Sequence, residues 1–166
     1  MKHIQEVITE FESLVDWIEP FKKYDYELLF KPMAEGKWSV AELLSHLMFW
    51  DRFIINDLTP IVKPGVNIEL VDFNEYNGRA AEYAKSGLSV GELLEEIIAT
   101  RKQLCSIVRD LPEEKLLTPI KVGGEEIDRH TGNPHSIFNY VCDFIHHDNY
   151  HKKQVEDFLE KATLQK

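Results

Sequence analysis

The amino-acid sequence predicts an all-α protein, a four-helix bundle, and three observations predict it. Four long segments space their apolar residues three and four apart. Start signals precede three of them, and no comparable stretch alternates apolar with polar residues as a half-buried strand does. The 166 residues suit one domain, 1–166, with one sizeable core.

The first segment carries Ile4, Val7, Ile8, Phe11, Leu14, Val15 and Ile18, which predicts a helix near 2–19 with Pro20 at or just beyond its end. Residues 20–38 read as irregular, broken by Pro32 and Gly36. Ser39-Val40-Ala41-Glu42 is a capping box: the serine accepts from a free backbone N–H and the glutamate reaches back. It opens a helix near 39–58. A short helix is expected within 72–86. Ser89-Val90-Gly91-Glu92 repeats the box ahead of a helix near 89–111, which Leu111-Pro112 closes. The connection over 112–133 is long enough to be functional or to carry structure of its own. Asn133-Pro134 then reads as an N-cap with proline at the first helical position, opening a helix over 134–161.

With 19 basic and 29 acidic residues, the net charge is −10, and no Lys/Arg run exceeds a pair. Phosphate neutralisation drives nucleic-acid binding, so the balance argues against DNA, RNA and anionic membranes as partners. No apolar run is long enough to span a bilayer, and the amphipathic N-terminus does not read as a signal peptide. Cys105 and Cys142, in separate helical segments, read as buried free thiols of a protein in a reducing, cytoplasmic compartment.

The histidines carry the chemistry. The last helix presents Ile137, Tyr140, Phe144, His147, His151, Val155 and Phe158 at steps of three and four, so two imidazoles sit on an apolar stripe one turn apart. That spacing puts their Cβ atoms about 5–6 Å apart, within reach of one metal ion. His146 points elsewhere, since each helical residue turns about 100°. His46, between Leu43 and Trp50 at helical spacing, can enter the bundle from the second helix. The alternative is core histidines hydrogen-bonded to carbonyls; burying them without partners is costly. Asp143, one turn before His147, is placed to orient a ligand imidazole. Asp51 and Asp148 read as surface or ligand-orienting groups. Trp38 and Trp50 suit core packing or a pocket wall. His130 is a reserve ligand; His3 and His135 read as surface.

The pattern W-S-x-x-E-x-x-x-H-L at Trp38–Leu47, with H-x-x-x-H-x-x-Q at His147–Gln154, resembles the DinB-like superfamily. The likeness extends to helix number and order over nearly the whole chain. It implies an up-down-down-up four-helix bundle, often a homodimer, with a metal triad falling on His46, His147 and His151. It also implies metal-dependent hydrolysis or thiol S-transfer on a small molecule, with a low-molecular-weight thiol as one candidate partner. Lys152-Lys153 replace the Arg-Gly that many members carry before the glutamine, which leaves the substrate open. Three protein ligands leave positions free for water or substrate, as in catalytic sites, and imidazole donors suit Zn²⁺ or Ni²⁺. No catalytic base is identified. A non-catalytic metal- or small-molecule-binding module, or a structural bundle without metal, stands as the alternative.

Overall fold

The computed structural model describes residues 3–164. The expected helix start at residue 2 and the outermost domain ends therefore lie outside the described residues. The N-terminal segment forms α1 (Ile4–Glu12) and α2 (Leu14–Ile18). His3, exposed, caps α1 by accepting from the Gln5 N–H. Pro20 sits in the first turn of a 3₁₀ segment, Glu19–Lys23, where its missing N–H is not needed. Asp25 then caps a short helix, α3 (Tyr26–Phe30), inside the stretch expected to be irregular.

Both capping boxes form. Ser39 opens α4 (Val40–Phe53), which continues as a π-helical turn, Ile54–Leu58, to the expected end. Ser89 opens α6 (Val90–Asp110). Between them lie β1 (Asn67–Ile68) and α5 (Phe73–Ala84), the short helix expected within 72–86. The long connection carries α7 (Glu113–Leu116) and β2 (Lys121–Val122). β1 and β2 pair in parallel. Strands of two residues are too short to leave an alternating signature, which is why the sequence showed none.

The last helix, α8, runs from Ile137 to Leu164 and starts three residues later than Asn133-Pro134 suggested. The backbone of that segment is engaged elsewhere: the Asn133 carbonyl accepts from the Asp128 N–H, and the His135 N–H donates to the Glu126 carbonyl. Ser136 is the cap, its Oγ accepting from the Asn139 N–H at 3.0 Å.

Two apolar clusters show how the helices run. One joins Leu14, Val15 and Ile18 to Leu43, Leu44, Leu93, Leu94, Val155 and Leu159. The other joins Val7, Ile8 and Phe11 to Phe53, Ile54, Leu104, Val108, Ile137 and Val141. The start of α1 thus shares a level with the start of α8 and the ends of α4 and α6. α1 and α8 run one way; α4 and α6 run the other.

At the middle level Arg101 of α6 is 1% exposed, and all five of its N–H groups have partners. Nε and Nη2 donate to Asp51 of α4 at 2.7 and 3.1 Å. Nη1 and Nη2 donate to Asp148 of α8 at 2.8 and 3.5 Å, and Nη1 also to the Phe11 carbonyl at 2.9 Å. The guanidinium lies 3.9 Å from the Phe11 ring centroid. Asp51 and Asp148, expected at the surface or beside ligands, are instead buried ion-pair partners. The pair of carboxylates ties α4 and α8 to one cation, fixing the distance between the two helices that carry the candidate ligands. Cys105 is buried, which pushes its thiol pKa up to about 12. Cys142 is half-buried.

Candidate metal centre

α8 buries Ile137, Val141, Asp148, Val155 and Leu159 most deeply. His147 and His151 flank that stripe, half-buried, rather than at the centre of the core; His147 borders one cavity and His151 another. His46 of α4 is buried at 5% exposure and faces them. Its ring centroid lies 5.4 Å from that of His147 and 5.5 Å from that of His151. One nitrogen from each of the three lies within 4.8 Å of the other two. The structure thus brings together the three histidines singled out from the sequence.

Hydrogen bonds set the tautomers. Asn77 of α5 presents Oδ1 to both Trp50 Nε1, at 3.0 Å, and His46 Nδ1, at 2.9 Å. Indole N–H can only donate, so the shared atom acts as an acceptor and His46 Nδ1 carries the proton. His46 Nε2 is left with its lone pair. In the same way His151 Nδ1–H donates to Gln154 Oε1 at 2.8 Å. His151 Nε2 then faces His147 Nε2 at 3.1 Å. Two nitrogens bound to one ion at about 2.1 Å, with angles between octahedral and tetrahedral, stand about 2.9–3.4 Å apart. The observed separation fits that geometry, and the donor set fits Zn²⁺ or Ni²⁺.

Burial keeps the three rings neutral, the form a metal requires. Desolvation lowers the His46 pKa to about 4, assisted by His147. Desolvation, then the neighbouring His151, lowers that of His147, against the opposing pull of Asp148 and Asp143. Desolvation also lowers that of His151, with Gln154 opposing.

Asp143 stands one turn from His147, but its near neighbour is His130, whose Nδ1 is 3.7 Å from Oδ2. Among the described residues the bonds that orient ligand rings come from Asn77 and Gln154. Gln154 was visible as the end of the histidine motif. Asn77 was not, because nothing in the sequence of α5 shows where that helix docks. It docks on α4 through Ser45 Oγ, which donates to the Ala80 carbonyl at 2.7 Å, and through Tyr76 Oη, which donates to the Phe49 carbonyl. Trp38 stacks at a tilt near His46, centroids 5.1 Å apart, and Trp50 bounds the cavity.

The cavity beside His46 and His147 has a volume of about 560 Å³. Its walls come from α4, α5, α8 and the long connection, which contributes Val122, Asp128 and His130. His146 is exposed and also borders it, outside the triad. His135 borders it as well, and its Nδ1 is buried without a hydrogen-bond partner. His130, the reserve ligand, belongs to a separate group with Asp128 and Asp143, also within 4.8 Å of one another. A second cavity, about 600 Å³, reaches His151 and Gln154 and carries Lys37, Lys161 and Asp157.

Comparison with known proteins bears on the fold and the family. No curated protein matches the chain. YfiT from Bacillus subtilis, a probable metal-dependent hydrolase with an unusual four-helix bundle topology, superposes with a TM-score of 0.69. The superposition covers 96% of this chain and 87% of that one at 14% identity, which establishes a shared fold. The family profile of the DinB superfamily matches residues 3–155, and the chain belongs to that superfamily.

Proposed function

We propose that the protein binds one divalent metal ion, zinc or nickel, through His46, His147 and His151, and uses it to hydrolyse a small molecule held in the adjoining cavity. The observation that carries this reading is the pair of Nε2 atoms 3.1 Å apart, on neutral rings, one of which, His147, lines a cavity of about 560 Å³. When bound, the ion would supply Lewis acidity, polarising a substrate oxygen and acidifying water at neutral pH. The chain's own residues do the rest. Asn77 and Gln154 hold two ligand rings in register, and Arg101 fixes the spacing of α4 and α8. The aromatic side chains of the cavity exclude bulk water.

Thiol S-transfer is the second reading. It is favoured by the separate cavity that reaches His151, which leaves room for a second substrate. A non-catalytic binding module would keep the metal and show no turnover.

The test begins with metal content of untagged protein purified without added metal, and again after incubation with zinc or nickel. About one ion per chain is expected. Folded protein that takes up neither metal would overturn the reading. Loaded protein is then assayed against ester, amide and lactone panels, and against thiols paired with electrophiles. Hydrolysis without thiol supports the first reading; turnover only with thiol supports the second.

A further inference from the structure

The cavity beside the triad has a one-sided electrostatic character. Among the described residues no lysine or arginine lines it, whereas Asp128 and Asp143 both do, beside five histidines, His46, His130, His135, His146 and His147. Asp128 is committed to the fold: one oxygen accepts from the His130 N–H and the other from Asn139 Nδ2, each at 2.8 Å. Asp143 makes no hydrogen bond among the described residues. The nearest basic group is His130, its Nδ1 at 3.7 Å, beyond hydrogen-bond distance, on a side chain 81% exposed. The remaining wall is largely apolar and aromatic, with Trp50, Tyr140 and Phe144 inside and Leu70 and Phe73 exposed at 57% and 52%.

We propose that this cavity selects a small molecule with an apolar body and a cationic ammonium group, the ammonium resting against Asp143. The proposal deepens the reading of the cavity as the substrate site. In the metal-free cavity a carboxylate-bearing ligand would meet two aspartates and, among the described residues, no lysine or arginine, and would lose its hydration without compensation. An ammonium exchanges water for the Asp143 carboxylate, and the faces of Trp50, Tyr140 and Phe144 favour a cation further. The net charge of −10 draws cations toward the mouth. Asp143 and His147 lie one helical turn apart, about 5–6 Å between Cβ atoms, so the ammonium and the group presented to the triad are separated by a short spacer.

Calorimetric titration of phenethylamine, 2-phenylethanol and phenylacetate tests this, because the three share an aromatic body and differ in charge. The protein is used both metal-free and zinc-loaded, each confirmed as folded by helical circular dichroism. In metal-free protein phenethylamine is expected to bind about tenfold or more tighter than 2-phenylethanol, and phenylacetate most weakly. Asp143→Asn, a half-exposed isosteric change, is expected to remove that advantage while leaving the alcohol unchanged. Phenylacetate equal to or better than the amine in metal-free protein, an undiminished amine preference in Asp143→Asn, or no binding of any of the three would overturn the proposal. Failure to bind zinc would sink the metal reading alone, since the amine preference is measured without metal.

Discussion

His147 Nε2 lies 3.1 Å from His151 Nε2, and the Nδ1 of His151 is already occupied by Gln154. Without an ion, one of the two facing nitrogens must carry a proton, and His147 is the ring able to supply it. With an ion, both lone pairs turn to the metal and that proton leaves the shared position. A metal held as proposed would therefore need both rings. His147→Ala and His151→Ala are each expected to lower metal content well below one per chain while the helical circular dichroism signal persists. His46→Ala is expected to do the same. His146→Ala is expected to retain the metal. Full occupancy in folded His147→Ala would refute the ligand set.

The acid response of the metal-free protein follows from His46. Its pKa is about 4 in the folded chain because burial opposes its charge, against an ordinary value near 6.5 when unfolded. Between those values the unfolded chain binds more protons, so stability rises with pH and is lost as pH falls toward 4. A shift of this size corresponds to about 3 kcal/mol at most. The urea midpoint of metal-free wild type is expected to fall from pH 7 to about 4.5 more steeply than that of His46→Leu, in which this contribution is absent. The difference between the two profiles reports His46 together with its coupling to His147 and His151. Parallel profiles would show that His46 is not held neutral by burial.

The four main helices and the triad were legible because each leaves a periodic trace: apolar steps of three and four, serine boxes, and two histidines four apart. The network that holds the helices together was not read, although it left a trace. In α6 the buried positions Leu94, Ile97, Ile98, Leu104, Cys105 and Val108 continue through Arg101, which places an arginine on the core face. Asp148 occupies the buried stripe of α8 in the same way, between Val141 and Val155. A cation and an anion on two core faces are a pairing signal, because neither can be buried alone. β1, β2 and Asn77 were illegible for a different reason. Their roles depend on which loop meets which helix, and local sequence does not encode that.

Arg101→Met tests the network. The change removes the cation and leaves Asp51 and Asp148 buried without a partner, a loss of about 3–5 kcal/mol in comparable buried pairs. Replacing all three by apolar residues of similar volume, as Arg101→Met with Asp51→Leu and Asp148→Leu, is expected to recover most of that stability. The reason is that burying the charges carries its own desolvation cost. Urea denaturation of the single and triple variants is the measurement. A single variant as stable as wild type would show that the pairs do not hold the bundle.

The start of α8 separates two capping assignments. Ser136→Ala deletes the acceptor for the Asn139 N–H and is expected to cost about 1 kcal/mol, as for other N-cap losses. Asn133→Ala keeps the backbone bonds of that segment and is expected to change stability by less than about 0.5 kcal/mol. The reverse order in thermal or urea unfolding would return the cap to Asn133.

Asn77 offers a test of how the triad is held rather than of what it holds. Its Oδ1 accepts from Trp50 and from His46, which fixes the proton on His46 Nδ1 and leaves Nε2 available. Asn77→Leu removes that restraint without touching a ligand. His46 can then rotate or adopt the other tautomer, and metal affinity is expected to fall about 10–100-fold, the usual effect of losing such a partner. Asn77→Asp keeps the acceptor and adds charge beside a ligand ring, which raises its basicity, so affinity is expected to hold or increase. Gln154→Leu, acting on His151, is expected to resemble Asn77→Leu. Trp50→Phe removes the indole N–H but leaves the His46 bond, and is expected to change affinity little. Competition with a chelator of known affinity measures all four variants. Wild-type affinity in both leucine variants would mean that the histidines are oriented by their packing alone.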